Sequence, residues 1–155
     1  MLVCLLSVLP GCQSARVPEP PLVARLHLEA RPGEAGVPMR LPVSGVGLTV
    51  GAKPVFSEYD LVKAEVVQVE LGACLRLQFT SAAARDLHRL SVASLGRRLV
   101  LFLNDVPLGA RRIEQPLTDG SFLVFVERPD ADLPALAARL NRTAAGLVAA
   151  AKKSP

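Results

Sequence analysis

Apolar and polar residues alternate along several stretches of the chain, and this two-residue period predicts β-strands. Residues 24–30 alternate in this way, and residues 31–36 (RPGEAG) supply a turn to a second run at 37–43. Pro38 and Pro42 bracket the second run, which restricts it to an edge strand because proline has no backbone N–H to donate. The first part of the chain therefore predicts a strand pair.

The middle of the chain has the clearest strand pattern. Residues 60–71 are rich in β-branched side chains, and residues 74–79 place Leu75, Leu77 and Phe79 on one face. Further along, residues 98–104 and 121–127 are apolar on both faces, as central strands are. Residues 111–115 predict a short strand between these two, after a turn over 104–110.

Two helices are predicted from apolar residues at spacings of three and four. The first covers residues 81–95, with Thr80 as its N-cap and Gly96 as its stop. The second begins at Asp130 or Asp132 and continues to the end of the chain. The order of elements predicts an α+β fold, a mainly antiparallel sheet with two helices packed on one face, preceded by the N-terminal strand pair.

The first twelve residues resemble the export signal of a bacterial lipoprotein. Residues 2–9 are apolar but too few to span a bilayer, which takes about 20 residues, and they suit an export signal. The residues LPGC that follow resemble a lipobox, in which the cysteine thiol is alkylated by a lipid. The resemblance implies a signal peptide at 1–11 and anchoring to membrane lipid through acylated Cys12. A conventional cleaved signal or a buried strand is the alternative.

The residues that follow Cys12 predict how the folded domain is connected to the membrane anchor. Residues 12–22 contain three prolines and predict a semi-extended tether, and residues 23–155 then form one domain. Gln13 occupies the position at which many Gram-negative lipoproteins carry an Asp that retains them in the inner membrane. The resemblance therefore implies the outer membrane, on the periplasmic side of the envelope, with the lipid as the only membrane attachment.

Residues 57–141 resemble the head part of the large periplasmic domain of SecD, the accessory subunit of the protein-export channel. The resemblance is carried by DLVKAEVV, by FTSAAARDLHRLSVASLGRRLVLFLND and by the closing leucine-rich helix. It implies the fold of that head and a capacity to contact extended polypeptide. It does not imply a proton-driven transport mechanism.

Composition narrows the class of partner. The net charge is +4, aromatic residues make up 4% of the chain, and there is no Trp. Scattered arginines without stacking aromatics argue against nucleic acid as a partner and suit an anionic membrane surface. The core must be built from aliphatic side chains.

The sequence contains no pattern typical of catalysis, a metal or a cofactor. His88 is predicted on an outward helix face and His27 on the exposed side of a strand, and zinc-ligand and nucleophile motifs are absent. Cys74 is predicted next to a turn, on the strand face that carries Arg76 and Gln78, without a base to activate it. We therefore predict a protein that is not an enzyme and that binds neither a metal nor a cofactor.

Two arginine pairs are the candidate partner-contacting residues. Arg97 and Arg98 fall on one predicted strand, and Arg111 and Arg112 fall on the next. Surface solvation explains them most simply, and contact with an acidic partner or lipid headgroups is the alternative. The chain is thus predicted to be a lipid-anchored envelope protein that binds another envelope protein or an extended polypeptide. A structural or assembly factor at the membrane surface, without peptide binding, is the second hypothesis.

Overall fold

The computed structural model of the protein describes residues 19–153, so the predicted signal peptide and Cys12 lie outside the described part. The elements are, in chain order, β1 Ala24–Leu28, β2 Val37–Arg40, β3 Gly47–Val50, β4 Leu61–Val69, β5 Gly72–Phe79, α1 Ser81–Ala93, β6 Arg98–Leu103, β7 Val106–Arg112, β8 Ser121–Val124 and α2 Leu133–Lys153, which a 3₁₀ turn at Asp130–Asp132 precedes. The predicted α+β class is confirmed.

Six strands lie side by side in an antiparallel arrangement that is interrupted once. β1, β6 and β7 form one ladder, and β4, β5 and β8 form another. β7 and β8 are neighbours, because the N–H of Glu127, just after β8, donates to the carbonyl of Leu108 at 2.6 Å. Arg111 Nη1 also donates to the carbonyl of Leu123 at 3.2 Å. The spatial order is therefore β1-β6-β7-β8-β5-β4, with an incomplete junction between β7 and β8.

Both helices contribute to a single apolar core on one side of these strands. α1 contributes Ala83 and Leu87, and α2 contributes Ala137 and Leu140. α1 begins as predicted, with the Thr80 hydroxyl accepting a hydrogen bond from the backbone N–H of Ala83 at 3.3 Å. The strands contribute mainly leucines to this core, among them Leu26, Leu75, Leu77, Leu99, Leu101 and Leu103. Burial of this aliphatic surface is the main stabilising contribution to the fold.

The predicted pairing of the first two strands is wrong. β1 pairs with β6, Leu26 opposite Leu101, whereas β2 pairs with β3, Met39 opposite Leu48. Every second residue of β1 is buried, so this strand belongs against the core. β2 is almost entirely exposed and contains Pro38, so an isolated two-stranded hairpin suits it better.

The residues that follow β1 cover the sheet face opposite the helices. Val100 points away from Leu99 and Leu101, yet it is 0% exposed. His27, on the same face, packs against the Phe102 ring with 4.7 Å between ring centroids, and its Nδ1 lies 2.8 Å from the Gly51 carbonyl oxygen. His27 is therefore half-buried, whereas its strand position predicted an exposed side chain.

Glu127 connects the turn of the β2–β3 hairpin to the segment after β8. Its carboxylate accepts hydrogen bonds from the backbone N–H groups of Val43, at 2.6 Å, and Ser44, at 3.1 Å. Burial alone would raise the pKa of Glu127, but hydrogen bonds from Ser44 and Val43 together lower it below its ordinary value. The ionised carboxylate therefore holds the hairpin in place.

β7 begins earlier than the sequence predicted. Asn104 and Asp105 have φ values of 46° and 64°, so these two residues form the whole turn, and the strand resumes at Val106. The apolar-polar pattern fails here because Gly109 interrupts it. A side chain at Gly109 would collide with the carbonyl oxygen of Phe125, so the approach of the segment after β8 requires glycine at this position.

The last residues of the predicted tether, 19–22, lie along α2. Leu22 is buried in the core, and its N–H donates to the Thr143 hydroxyl at 3.0 Å. Glu19 forms an ion pair with Arg139 at 3.2 Å. The chain thus enters the domain beside the helix, just before β1.

Leu101→Ala should lower the free energy of unfolding by about 2–5 kcal/mol, because it leaves a cavity in the core. Val100→Ala should cost about 1.5 kcal/mol, since two buried carbons are lost at about 0.8 kcal/mol each. The exposed control Arg89→Ala should stay within about 0.5 kcal/mol. Chemical denaturation measures all three, and a Leu101→Ala variant as mild as Arg89→Ala would contradict the position of β6.

Glu127→Ala should destabilise the protein in a pH-dependent way. Because the pKa of Glu127 is lowered on folding, its stabilising contribution is present above its unfolded pKa of about 4.3. That contribution is lost as the pH falls through the lower folded value. Urea denaturation of the wild-type protein and of Glu127→Ala between pH 3 and 7 should give unfolding free energies whose difference becomes smaller at low pH. If the difference in unfolding free energy stays constant or grows as the pH falls, the ionised Glu127 carboxylate does not hold the hairpin in place.

Candidate functional site

The register of β6 and β7 places the four predicted arginines at one end of the sheet. Arg98 lies opposite Arg112, and Leu99 lies opposite Arg111. Arg98 and Arg112 share the face opposite the helices, because residues directly opposite in an antiparallel pair project to the same side. The two pairs therefore meet on adjoining strands, as the sequence suggested, but their surroundings differ.

Arg97 and Arg98 are neutralised within the domain. Arg98 Nη1 lies 2.9 Å from Glu29 Oε1, and the other oxygen of the same carboxylate accepts from the Arg98 N–H at 2.8 Å. The Arg97 guanidinium donates to the Glu29 carbonyl and lies 3.2 Å from the Glu34 carboxylate. These two arginines fasten the loop after β1 to β6 and leave little charge for a partner.

Arg111 and Arg112 keep their charge. Within residues 19–153, no carboxylate oxygen lies within the 4.0 Å ion-pair distance of either guanidinium. Arg111 is half-buried and donates to the neutral carbonyl of Leu123, and Arg112 is exposed. An arginine whose only partner is a carbonyl still has several N–H groups available to an anion.

The two arginines border a concavity at the junction of β7 and β8, which we call the β7–β8 split. Its volume is about 150 Å³, and it is lined by Arg111, Arg112, Ile113, Glu114, Gln115, Leu117 and Phe122. The backbones of the two strands approach at Leu108 and Glu127, and further along the strands are connected by the Arg111 side chain, which donates to the Leu123 carbonyl. Beyond that point the small opening lies between the two strands.

Backbone groups of β7 point into the split. The Ile113 N–H donates to the Arg97 carbonyl at 2.8 Å, so Ile113 is directed toward β6. Because direction alternates along a strand, the N–H and C=O groups of Ala110 and Arg112 are directed away from β6, toward β8. In the described part of the chain these groups have no backbone hydrogen-bond partner. β7 is thus unpaired on the side of β8 at Arg112, which borders the split.

Other strand edges of the two ladders are occupied at the points where the structure gives contacts. On β4, the Ala64 N–H donates to Asn141 Oδ1 at 2.7 Å, and Asn141 Nδ2 donates to the Ala64 carbonyl at 2.9 Å. On β1, the Leu26 N–H donates to the Phe56 carbonyl at 2.9 Å. Such contacts protect an edge from pairing with another chain at these points.

Two larger grooves have features less suited to a specific site. One, of about 390 Å³, lies between the β6–β7 turn and α2, where Leu103, Leu108 and Leu136 form an apolar floor. The other, of about 630 Å³, lies beside the β2–β3 hairpin and is wide and shallow. In the second groove the Arg98 charge is already neutralised by Glu29.

Cys74 is 0% exposed, although it lies on the strand face that carries Arg76 and Gln78, away from the helices. Burial raises the pKa of the Cys74 thiol, against a smaller opposite effect of the Arg111 charge. His88 is exposed as predicted. Residues 19–153 contain no group of three metal-ligating side chains.

No helix in the described part of the chain is long and apolar enough to cross a membrane.

The fold is similar to that of SecDF. In a crystal structure of SecDF in its super-membrane-facing form, the match has a TM-score of 0.62 at 18% identity. A second structure, described as a membrane component SecDF that enhances protein export, gives 0.58 at 19% identity. The matches cover 77% and 78% of this chain, but only 18% and 62% of those chains. No protein-family model matches, and no curated protein matches in sequence. The predicted SecD-like domain is thus confirmed as a fold.

Proposed function

We propose that the protein is a lipid-anchored envelope protein whose SecD-head-like domain binds another envelope protein or an extended polypeptide, without catalysis. The observation that carries the proposal is the β7–β8 split. It combines an unpaired strand edge with two arginines whose charge no carboxylate of residues 19–153 neutralises. An unpaired edge offers hydrogen bonds to an extended chain of almost any sequence.

The likeness to SecDF supports a role connected to protein export. One of the matched structures is described as a membrane component that enhances protein export. Since the sequences are less than 20% identical, the similarity of fold alone supports this connection. A domain that contacts extended chains beside the export channel would suit such a role.

Lipid anchoring is supported by the LPGC sequence that ends at Cys12. Residue 19 already lies against α2, through the Glu19–Arg139 ion pair. Glu19 is seven residues further along the chain than Cys12, and an extended chain spans at most about 3.6 Å per residue. The anchor would therefore hold this side of α2 within about 25 Å of the membrane.

The outer face of α1 favours the second hypothesis, a structural or assembly factor at the membrane surface. Val92, in the last turn of this helix, is 52% exposed, and Leu95, two residues beyond its end, is 53% exposed. Arg85 and Arg89, also exposed, precede Val92 on the same face. Apolar side chains beside cations suit the boundary between lipid headgroups and acyl chains.

The proposal is tested by photo-crosslinking in intact envelopes, with a photoreactive residue in place of Arg112 and a matched one in place of Arg85. We expect a discrete polypeptide to be crosslinked from position 112 and none from position 85. Mass spectrometry of the purified protein should detect a lipid adduct on Cys12. Cys12→Ala should leave an uncleaved precursor or move the protein to the soluble fraction.

Equal crosslinking to lipid from both positions, with no polypeptide, would favour the membrane-surface hypothesis instead. Unchanged fractionation of Cys12→Ala, with no lipid adduct on the wild-type protein, would contradict the anchor. Sucrose-gradient separation of the membranes distinguishes the expected outer membrane from the inner membrane.

A further inference from the structure

We infer that the β7–β8 split recognises a carboxylate of an extended polypeptide that lies along β7. This inference rests on the proposed function and adds the chemical group by which the polypeptide is recognised. The carboxylate can come from the end of the polypeptide or from an Asp or Glu side chain. In either case the recognising groups are guanidinium N–H groups and the backbone of one strand.

The charge of the split favours an anion of this kind. Arg111 and Arg112 contribute two positive charges, and Glu114 contributes one negative charge at the same opening. The nearest arginines at the start of β6, Arg97 and Arg98, are neutralised by Glu34 and Glu29. The balance is a single positive charge, presented by planar groups whose N–H pairs match the two oxygens of a carboxylate.

The backbone of β7 adds a second element of recognition. The N–H and C=O groups of Arg112, which lines the split, point away from β6 into the opening, as they would in a ladder with one more strand. A short extended segment can pair with these groups while its carboxylate reaches the guanidinium groups. The volume of about 150 Å³ admits the end of a chain or one short acidic side chain, but not a folded element.

The position of Arg111 explains why the strands stay apart here. Its Nη1 donates to the Leu123 carbonyl across the junction at 3.2 Å, so the side chain bridges two strands that do not pair directly at this point. The remaining N–H groups of the same guanidinium are available on the open side. Arg111 therefore both holds the opening and lines it.

Three forms of one dye-labelled hexapeptide, with the sequence Val-Thr-Val-Thr-Val-Thr, test the inference by fluorescence anisotropy with the full chain in detergent. One form has a free terminal carboxylate, the second has a terminal amide, and the third has a terminal amide and a Glu at its third position. Charge-assisted hydrogen bonds contribute about 1.5–3 kcal/mol. We therefore expect the free-acid form to bind at least about tenfold more tightly than the amide. Tight binding of the third form as well would assign the recognition to any carboxylate, and weak binding would assign it to the terminal one.

Two exposed residues of the split give variants with opposite effects. Arg112→Ala should reduce the binding of the free acid to the level of the amide, and Glu114→Gln should strengthen it, because the competing charge is removed. Arg85→Ala is the matched control, since it removes an equally exposed arginine from α1 and should change nothing. Circular dichroism of each variant checks that the fold is retained.

Equal binding of all three forms, or an equal loss with Arg112→Ala and Arg85→Ala, would overturn the inference and leave polypeptide binding in place. If none of the three forms binds while the protein remains folded, both the inference and the proposed binding of extended polypeptide are wrong.

Discussion

The incomplete pairing of β7 and β8 is the constraint on which the functional interpretation depends. Where the two strands approach, Leu108 pairs with Glu127, and the segment after β8 comes so near to Gly109 that no side chain fits there. Further along, the Arg111 side chain donates across the junction to the Leu123 carbonyl. A fully paired junction would have given one continuous six-stranded sheet without an opening. The local geometry of β7 therefore creates the edge that an extended chain can use.

The remaining architecture keeps this opening at one end of a rigid framework. The two helices share one leucine-rich core with both ladders, so the ladders cannot move apart without exposing that core. On the opposite face, Glu127 fixes the β2–β3 hairpin to the segment that follows β8. The same residue pairs with Leu108 through its backbone, so one position connects the hairpin, β7 and the end of β8.

Much of the fold could be predicted from local pattern. The β4–β5 hairpin, α1 with its Thr80 cap, the apolar β6 and the placement of both helices on one face all follow from periodicity and capping. The errors come from long-range contacts. The alternation of apolar and polar residues predicted that β1 is a strand but not that its partner is β6. The start of β7 was misplaced because Gly109, which the close approach of Phe125 requires, interrupts the alternation.

The candidate site also depends on long-range contacts that the sequence pattern does not reveal. Sequence alone gave four equivalent arginines, and the structure separates them, because pairing of β1 with β6 brings Glu29 to Arg98 while nothing acidic in residues 19–153 forms an ion pair with Arg111 or Arg112. Cys74 is buried for a similar reason, since the sequence does not reveal that the second sheet face is covered. A run of charged residues therefore becomes informative only when its counter-charges are known.

Amide hydrogen exchange along β7 tests the central claim most directly, because successive residues point alternately to β6 and into the split. In the free protein we predict that the Arg111 N–H exchanges slowly and the Arg112 N–H exchanges rapidly, and that a carboxylate-bearing peptide slows exchange at Arg112. If the Arg112 N–H of the free protein is as strongly protected as that of Arg111, the junction is closed and the account is contradicted.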